Sequence, residues 1–273
     1  DANFHGEIEF LGKIIAWDMY RRSTSGSALN PARYKPAYQQ LMQLYRDNDE
    51  LPLIAYFSDS FPHKLTNISQ FAKQQMSANG KTLRNFGYYQ WDNETACVEI
   101  WQRRLLNSMA KVKQLESDTD VFTLNEVDFI SRKLKQFSQV VNRNMCDTSF
   151  EVDRLFYMFD EEQKPELWLR LKSGQEIKFD GLPAGYKRLY SIVLDLAYRA
   201  YLLNRQTDVE PTGLAMIDEI DLHLHPSLET EVVERFTRTF PKLQFIMTSH
   251  SPLVVSNLSL SKGSSYIERK GGK

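Results

Sequence analysis

Gly213-Leu214-Ala215-Met216-Ile217-Asp218-Glu219-Ile220-Asp221-Leu222-His223-Leu224-His225-Pro226 decides the fold. Apolar residues follow the turn-forming Pro211-Thr212-Gly213 and lead straight into an Asp-Glu pair. A short apolar run bounded by turn signals reads as a buried strand. A buried strand that ends in two carboxylates is costly unless the charges find a partner. At the carboxyl end of a parallel-sheet strand the usual partner is Mg²⁺ with a nucleotide phosphate. A strand followed by a plain acidic turn is the blander alternative.

Two flanking motifs favour the first reading. About thirty residues downstream, Leu243-Gln244-Phe245-Ile246-Met247 reads as a second buried strand and ends in Thr248-Ser249-His250-Ser251-Pro252. A His there is either a satisfied surface residue or, at a strand-edge nucleotide site, a group that reaches the γ-phosphate and the attacking water. About thirty residues upstream, Leu182-Pro183-Ala184-Gly185-Tyr186-Lys187-Arg188 opens a long apolar helix, Leu189 to Leu203. A Gly-containing turn at a helix start is a ready anion site, because unpaired N–H groups and the dipole point at the ligand. Alone that turn is unspecific. The ordered set of three is specific.

The three motifs resemble the ABC-type ATPase heads of the SMC, Rad50, RecF and OLD proteins. The resemblance implies an α/β fold: a P-loop-type ATPase head with a mostly parallel sheet, an antiparallel hairpin part and a helical insert. It makes Asp218 the metal-holding residue, Glu219 the group that orients and deprotonates the attacking water, and His250 the switch histidine. It makes Leu182, Pro183, Ala184, Gly185 and Arg188 the signature turn, which meets the nucleotide of the opposite subunit. ATP and Mg²⁺ are the implied cofactors, and a homodimer or larger assembly the implied state. The wording DEIDLHLHP followed by FPKLQFIMTSHSP is narrower. It is similar to the ATPase subunits of Septu-type and retron-associated antiviral systems, which implies a cytoplasmic protein that works with an HNH-type nuclease subunit. A retron association would add a reverse transcriptase with its RNA/DNA product, and nucleic acid is an expected partner. The resemblance is specific over residues 180–258 and faint over 50–145, where Leu51–Phe57 and Phe86–Tyr89 carry it.

Two departures bear on hydrolysis more than on binding. The signature serine is replaced by Pro183, which keeps the turn but supplies neither hydroxyl nor N–H. Leu224-His225 stands where transporter-type ATPases carry an aspartate after Walker B. The sequence also contains no G-x-x-x-x-G-K-[ST]. Asn79-Gly80-Lys81-Thr82 does not qualify, since Gln75 stands five before Gly80 and Ile68 to Met76 reads as a polar helix. The expectation is that a segment ahead of Asp1 carries the loop; a degenerate ATPase without one is the alternative.

Composition fits this frame. The 273 residues are 42% hydrophobic, enough for a substantial core, and carry a net charge of −1, so no whole-protein pull on nucleic acid is expected. No apolar run approaches membrane-spanning length. Cys97 and Cys146 form no disulfide framework. Residues 1–60 read as the front of the head, with a helix near Ala37–Tyr45, the apolar strand Leu51–Phe57 and a small polar loop at Arg21–Ser27. Residues 61–148 read as the helical insert. Its first helix shows the stripe Val98, Trp101, Leu105, Met109, Val112, Leu115. Its second starts with a capping box, Thr123-x-x-Glu126, and shows the stripe Val127, Ile130, Leu134, Phe137, Val141. Residues 149–273 return to α/β, with a hairpin of Leu167–Leu171 and Glu176–Phe179 ahead of the three motifs.

Other chemistries are less well supplied. His223-x-His225 near Asp221 would place two zinc ligands on one strand face, with no third at a suitable spacing. Ser249-His250 lacks a nucleophile elbow. Arg132, Lys133, Lys135 and Arg143 form a candidate phosphate-binding face on the second insert helix, extended by Arg103, Arg104, Lys111 and Lys113; a solvated helix face is its alternative. The function expected is an ABC-type ATPase of an anti-phage complex that controls a nuclease. Its rivals are a non-hydrolysing scaffold and an OLD-type ATPase with a nuclease domain beyond Lys273.

Overall fold

The computed structural model describes residues 2–10, 12–21, 36, 39–40, 43, 50–61, 69–75, 82–91, 98–114, 121–141 and 148–258. The chain divides into two compact units, Asp1–Leu51 and Pro52–Lys273. The expected loop at 22–27, Leu115, Cys97, Cys146 and Arg143 lie outside the described residues.

In the first unit, β1 (Ala2–Phe10) and β2 (Lys13–Arg21) form an antiparallel hairpin whose register runs from Ala2↔Arg21 to Phe10↔Lys13. The tight connection uses Gly12 at φ 72°, a left-handed conformation that glycine takes without steric cost. Pro36, Gln39, Gln40 and Gln43 are helical, within or beside the expected helix.

The second unit begins with β3 (Leu53–Phe57), α1 (Gln70–Gln75) and a 3₁₀ turn at Arg84–Tyr88. Helices α2 (Val98–Gln114) and α3 (Val121–Ser138) follow. Next come β4 (Val152–Phe159), β5 (Pro165–Leu171) and β6 (Glu176–Lys178), then α4 (Ala184–Asn204). The chain continues through β7 (Gly213–Ile217), α5 (Pro226–Glu229), α6 (Val232–Thr239), β8 (Leu243–Met247) and α7 (Pro252–Ser256).

Among the described residues two sheets organise it. Strands β3, β7 and β8 pair in parallel in that order, as their continuous apolar sequences require. Gly213 opens β7 at φ 130°, and a Cβ there would lie 1.9 Å from the Leu53 carbonyl oxygen, so only glycine lets the two strands start in register. Among the described residues β8 has β7 on one side and no strand on the other, and Ile246 is 52% exposed. The second sheet is antiparallel, β4-β5-β6; it contains the expected hairpin and adds β4 to it.

Helix α4 is the centre of the core. From Arg188 to Asn204 every residue is buried, including Tyr190, Tyr198 and Tyr201 and the charged Arg188, Asp195 and Arg199. Trp101 of α2 stacks on Tyr198 at 5.3 Å, and its indole N–H donates to Asp195 at 2.6 Å. Arg199 pairs with Asp195 and donates to the carbonyls of Gly87 and Tyr89.

The insert helices differ from expectation in their polar residues. Helix α3 is already helical at Val121, so Thr123 lies inside it and is buried; Glu126 is no capping residue. It forms a two-pronged ion pair with Arg104, Nε to Oε1 at 2.8 Å and Nη2 to Oε2 at 2.6 Å, with both side chains at 0% exposure. Arg104 also donates to Thr82 Oγ1 and the Gln75 carbonyl, and Ser108 donates to Glu126. The buried stripe of α3 is therefore Thr123, Glu126, Phe129, Ile130, Lys133, Leu134 and Phe137, rotated from the apolar stripe by two interior charges.

Candidate active site

Phe57, Ile217 and Met247 are the last residues of three parallel strands in mutual register. The segments beyond them, Ser58-Asp59, Asp218-Glu219 and Thr248-Ser249-His250, thus leave one edge of the sheet together. In parallel α/β sheets this edge is where ligands bind. The segments are stitched by main-chain bonds: Asp218 N–H to the Phe57 carbonyl at 2.8 Å, Thr248 N–H to Ile217 at 3.0 Å and Ile220 N–H to Thr248 at 2.9 Å.

Side chains complete the stitching. The Thr248 hydroxyl donates to Asp218 Oδ1 and accepts the Glu219 N–H at 2.8 Å. His250 Nε2 lies 3.8 Å from Glu219 Oε1, with the histidine side chain 87% exposed. Asp221 accepts the His250 N–H at 3.2 Å, which ties the histidine loop to the turn after Glu219. The expected trio Asp218, Glu219 and His250 is therefore together, and Thr248 and Asp221 support it. The signal for Thr248 was its place directly after the apolar strand, one step from the motif residues already read.

The Gly-turn residues split into two groups. Pro183 is the N-cap of α4, makes no side-chain cap bond and is exposed with Ala184. Leu182, Gly185 and Arg188 are buried. A Cβ on Gly185 would stand 2.5 Å from the His223 carbonyl oxygen, so the helix start packs directly on the turn that follows Glu219. Arg188, 2% exposed, donates Nη1 to the Glu219 carbonyl at 2.9 Å. Its Nη2 serves the carbonyls of Asp218 at 2.7 Å and Ser58 at 3.2 Å. Burial pushes its guanidinium below the ordinary value, opposed by the carboxylates of Glu219, Asp218, Asp221 and Asp59. The resemblance places Arg188 at a partner's nucleotide; within its own chain Nη1 and Nη2 are turned onto main-chain carbonyls.

A hard divalent cation fits the donor chemistry at Asp218. One carboxylate oxygen is anchored by Thr248, and Mg²⁺ takes one or two protein carboxylates, waters and phosphate oxygens. The zinc alternative has no such support. His225 instead caps α5, with Nδ1 2.9 Å from Ser227 Oγ, and among the described residues no three His, Cys, Asp or Glu come together to hold a metal.

The candidate phosphate-binding face is not a continuous cationic surface. Lys133 is 2% exposed and donates to Glu210 at 2.6 and 2.9 Å and to the Thr239 carbonyl at 2.7 Å. Arg132 donates to the Thr207 carbonyl. Arg104 is buried against Glu126, and Arg103 pairs with Glu99. Lys135 remains half-buried on α3.

Comparison with known proteins agrees with the motif reading. The chain is 41% identical over 91 residues to "Retron Vc95 probable ATPase" of Vibrio cholerae serotype O1 biovar El Tor, covering 33% of this chain and 18% of that protein. It is 44% identical over 75 residues to "Retron Ec83 probable ATPase" of Escherichia coli, covering 27% and 14%. It is 38% identical over 81 residues to "Septu protein PtuA" of Bacillus mycoides (strain KBAB4), covering 30% and 11%. The matches thus span less than a fifth of the length of each of these relatives. A solved SMC ATPase structure, concerned with ATP-driven dimerization and DNA-stimulated activation, aligns with a TM-score of 0.34 at 14% identity over 50% of this chain and 76% of that one. Residues 83–256 match the family described as "AAA domain, putative AbiEii toxin, Type IV TA system". That match takes in the insert helices, the Gly turn and both strand-end motifs and covers well over half of the chain, so the protein belongs to this family of AAA-domain ATPases.

Proposed function

We propose that the chain is the ATPase part of a cytoplasmic anti-phage defence complex, binding ATP with Mg²⁺ at a composite dimer interface and controlling an associated nuclease. The observation that carries this reading is the convergence of Asp218, Glu219 and His250 at one sheet edge, with Glu219 and His250 3.8 Å apart. Phosphoryl transfer to water needs positioning and charge stabilisation more than covalent work. Asp218 would hold the Mg²⁺, which when bound neutralises phosphate charge. Glu219 would orient and deprotonate the attacking water. His250, exposed and on its own loop, would meet the γ-phosphate or that water. The exposed Pro183–Ala184 turn would face the nucleotide of a second copy with the Ala184 N–H, since Pro183 has none to offer. The names of the relatives support the defence setting. An HNH-type nuclease, or a reverse transcriptase with its RNA/DNA product, are the partners proposed from that setting. The basic face on α3 lends nucleic-acid binding little support, because Lys133 is buried.

The deciding experiment is Glu219→Gln in the intact protein, with steady-state phosphate release and equilibrium ATP binding measured side by side. Release should disappear while ATP stays bound and traps a dimer. Unchanged release would remove Glu219 from the mechanism. One observation favours a second reading, a nucleotide-dependent scaffold that does not hydrolyse: Pro183 supplies no hydroxyl to a γ-phosphate. ATP binding without release in the wild-type protein would select it.

A further inference from the structure

Glu219 has a φ of 46°, in the left-handed region that a glutamate enters reluctantly. Such a conformation persists when its surroundings over-determine it. Here both main-chain polar groups of the residue are held. Its N–H is taken by Thr248 Oγ1 at 2.8 Å, and its carbonyl accepts Arg188 Nη1 at 2.9 Å. The same guanidinium holds the Asp218 carbonyl at 2.7 Å and the Ser58 carbonyl at 3.2 Å, so the ends of β3 and β7 converge on one buried planar fork. A lysine ammonium is a compact point charge and cannot copy that geometry. One turn earlier on α4, Gly185 sits against the His223 carbonyl. His223 is itself left-handed at φ 62°, so the turn from Glu219 to His223 is gripped at both ends by the start of one helix.

We propose that Arg188 is a positioning residue. From within its own chain it fixes the left-handed backbone of Glu219, and it thereby ties the aim of that carboxylate to the position of the exposed Pro183–Ala184 turn. The proposal rests on the reading of Glu219 as the water-activating group. It assigns the signature helix a role inside its own subunit, distinct from any contact its tip makes across an interface.

Arg188→Lys should keep the charge and lose the fork. In the intact protein, assayed well below its melting temperature, kcat should fall about tenfold to a hundredfold, the scale of a small misplacement of a reacting group. KM for ATP should stay within about twofold, since no binding contact is removed. Arg188→Ala leaves a void shaped for a guanidinium ion, so millimolar guanidinium chloride should restore part of its turnover and none of that of Glu219→Gln. A raised KM with intact kcat would make Arg188 a nucleotide ligand and overturn the proposal. So would wild-type kcat and KM in a protein that merely melts lower. Should neither Arg188 variant fold, the backbone claim is read at Glu219 itself. Glu219→Gly should melt higher than Glu219→Ala by roughly 2–4 °C, because glycine relieves the left-handed strain. Equal melting, or alanine the more stable, overturns it. Wild-type turnover in Glu219→Gln sinks the underlying reading; loss of turnover there with unchanged kcat in Arg188→Lys overturns this proposal alone.

Discussion

His250 Nε2 and Glu219 Oε1 lie 3.8 Å apart, close enough to share a water and too far for a direct hydrogen bond. The histidine is almost fully exposed on a loop anchored through its own N–H to Asp221. His250→Ala should therefore cost turnover and leave the fold intact. A fall in kcat of about 10²-fold or more is expected for a group acting on the transferring phosphate or its water. Its melting temperature should match the wild type, which differential scanning fluorimetry reads beside a phosphate-release assay.

Thr248 serves Asp218 and Glu219 with one hydroxyl. Thr248→Val keeps the shape and removes both bonds. It should lower kcat by about tenfold or more, while Thr248→Ser, which keeps the hydroxyl, should stay near wild type. Equal activity in the valine and serine variants would show that the hydroxyl does not aim the carboxylates.

Gly185 has no room for a side chain, with its own His223 carbonyl 2.5 Å from a built Cβ. Gly185→Ala should destabilise by about 1–3 kcal/mol, the range for forcing atoms into a filled site. Urea denaturation measures it. Any loss of activity in a Gly185 variant then arises within the chain before it says anything about a partner.

Lys133 and Lys135 are neighbours on α3 with opposite expectations. Lys133→Glu would set a carboxylate against Glu210 and leave the Thr239 carbonyl without its donor, at a cost of about 3–5 kcal/mol. Lys135→Glu should change stability by roughly 0.5 kcal/mol or less. Desolvation by burial, opposed by Glu210, also lowers the Lys133 pKa from 10.5. The unfolded chain then holds that proton more tightly than the folded one, so the stability share of this group rises as pH climbs toward about 10.5. Lys133→Met should lack that rise when urea midpoints are compared at alkaline and neutral pH.

Arg104 donates two hydrogen bonds to the Glu126 carboxylate, with no solvent at either side chain. Glu126→Gln leaves a buried guanidinium without its counter-charge and should cost about 3–5 kcal/mol. A double-mutant cycle with Arg104→Met should recover part of that loss, since removing both charges removes the desolvation penalty as well.

The residues that were legible from sequence are those whose neighbours in the chain determine their setting. The strands β7 and β8 are apolar runs between turn residues, and their carboxyl ends carry the polar groups that no core would tolerate unpaired. The burial of α4 follows from its apolar runs, but that of its Asp195 and Arg199 depends on their pairing with each other and with Trp101. The settings of Glu126, Lys133 and Arg188 escape a reading of the sequence for a common reason. Each is a charge whose partner lies far away in sequence, on another helix, loop or turn, and the rule that charges face water gives no hint of it. The stripe on α3 was displaced accordingly, because two of its inward positions are ionic. Strand β4 escaped because its burial does not alternate cleanly, with Met158 and Phe159 exposed at its end.

The side of β8 that no described strand covers has a colloidal consequence. Among the described residues no strand covers that side, and a row of N–H and C=O groups left free beside an exposed Ile246 would be a template for another strand, an edge that natural proteins usually guard with charge. This chain has little charge to spare: its 34 basic and 35 acidic side chains nearly cancel, so copies feel almost no long-range repulsion at neutral pH. Self-association through that edge should therefore depend steeply on protein concentration and hardly at all on salt, and a lysine in place of Ile246 is the simplest way to keep the protein dispersed.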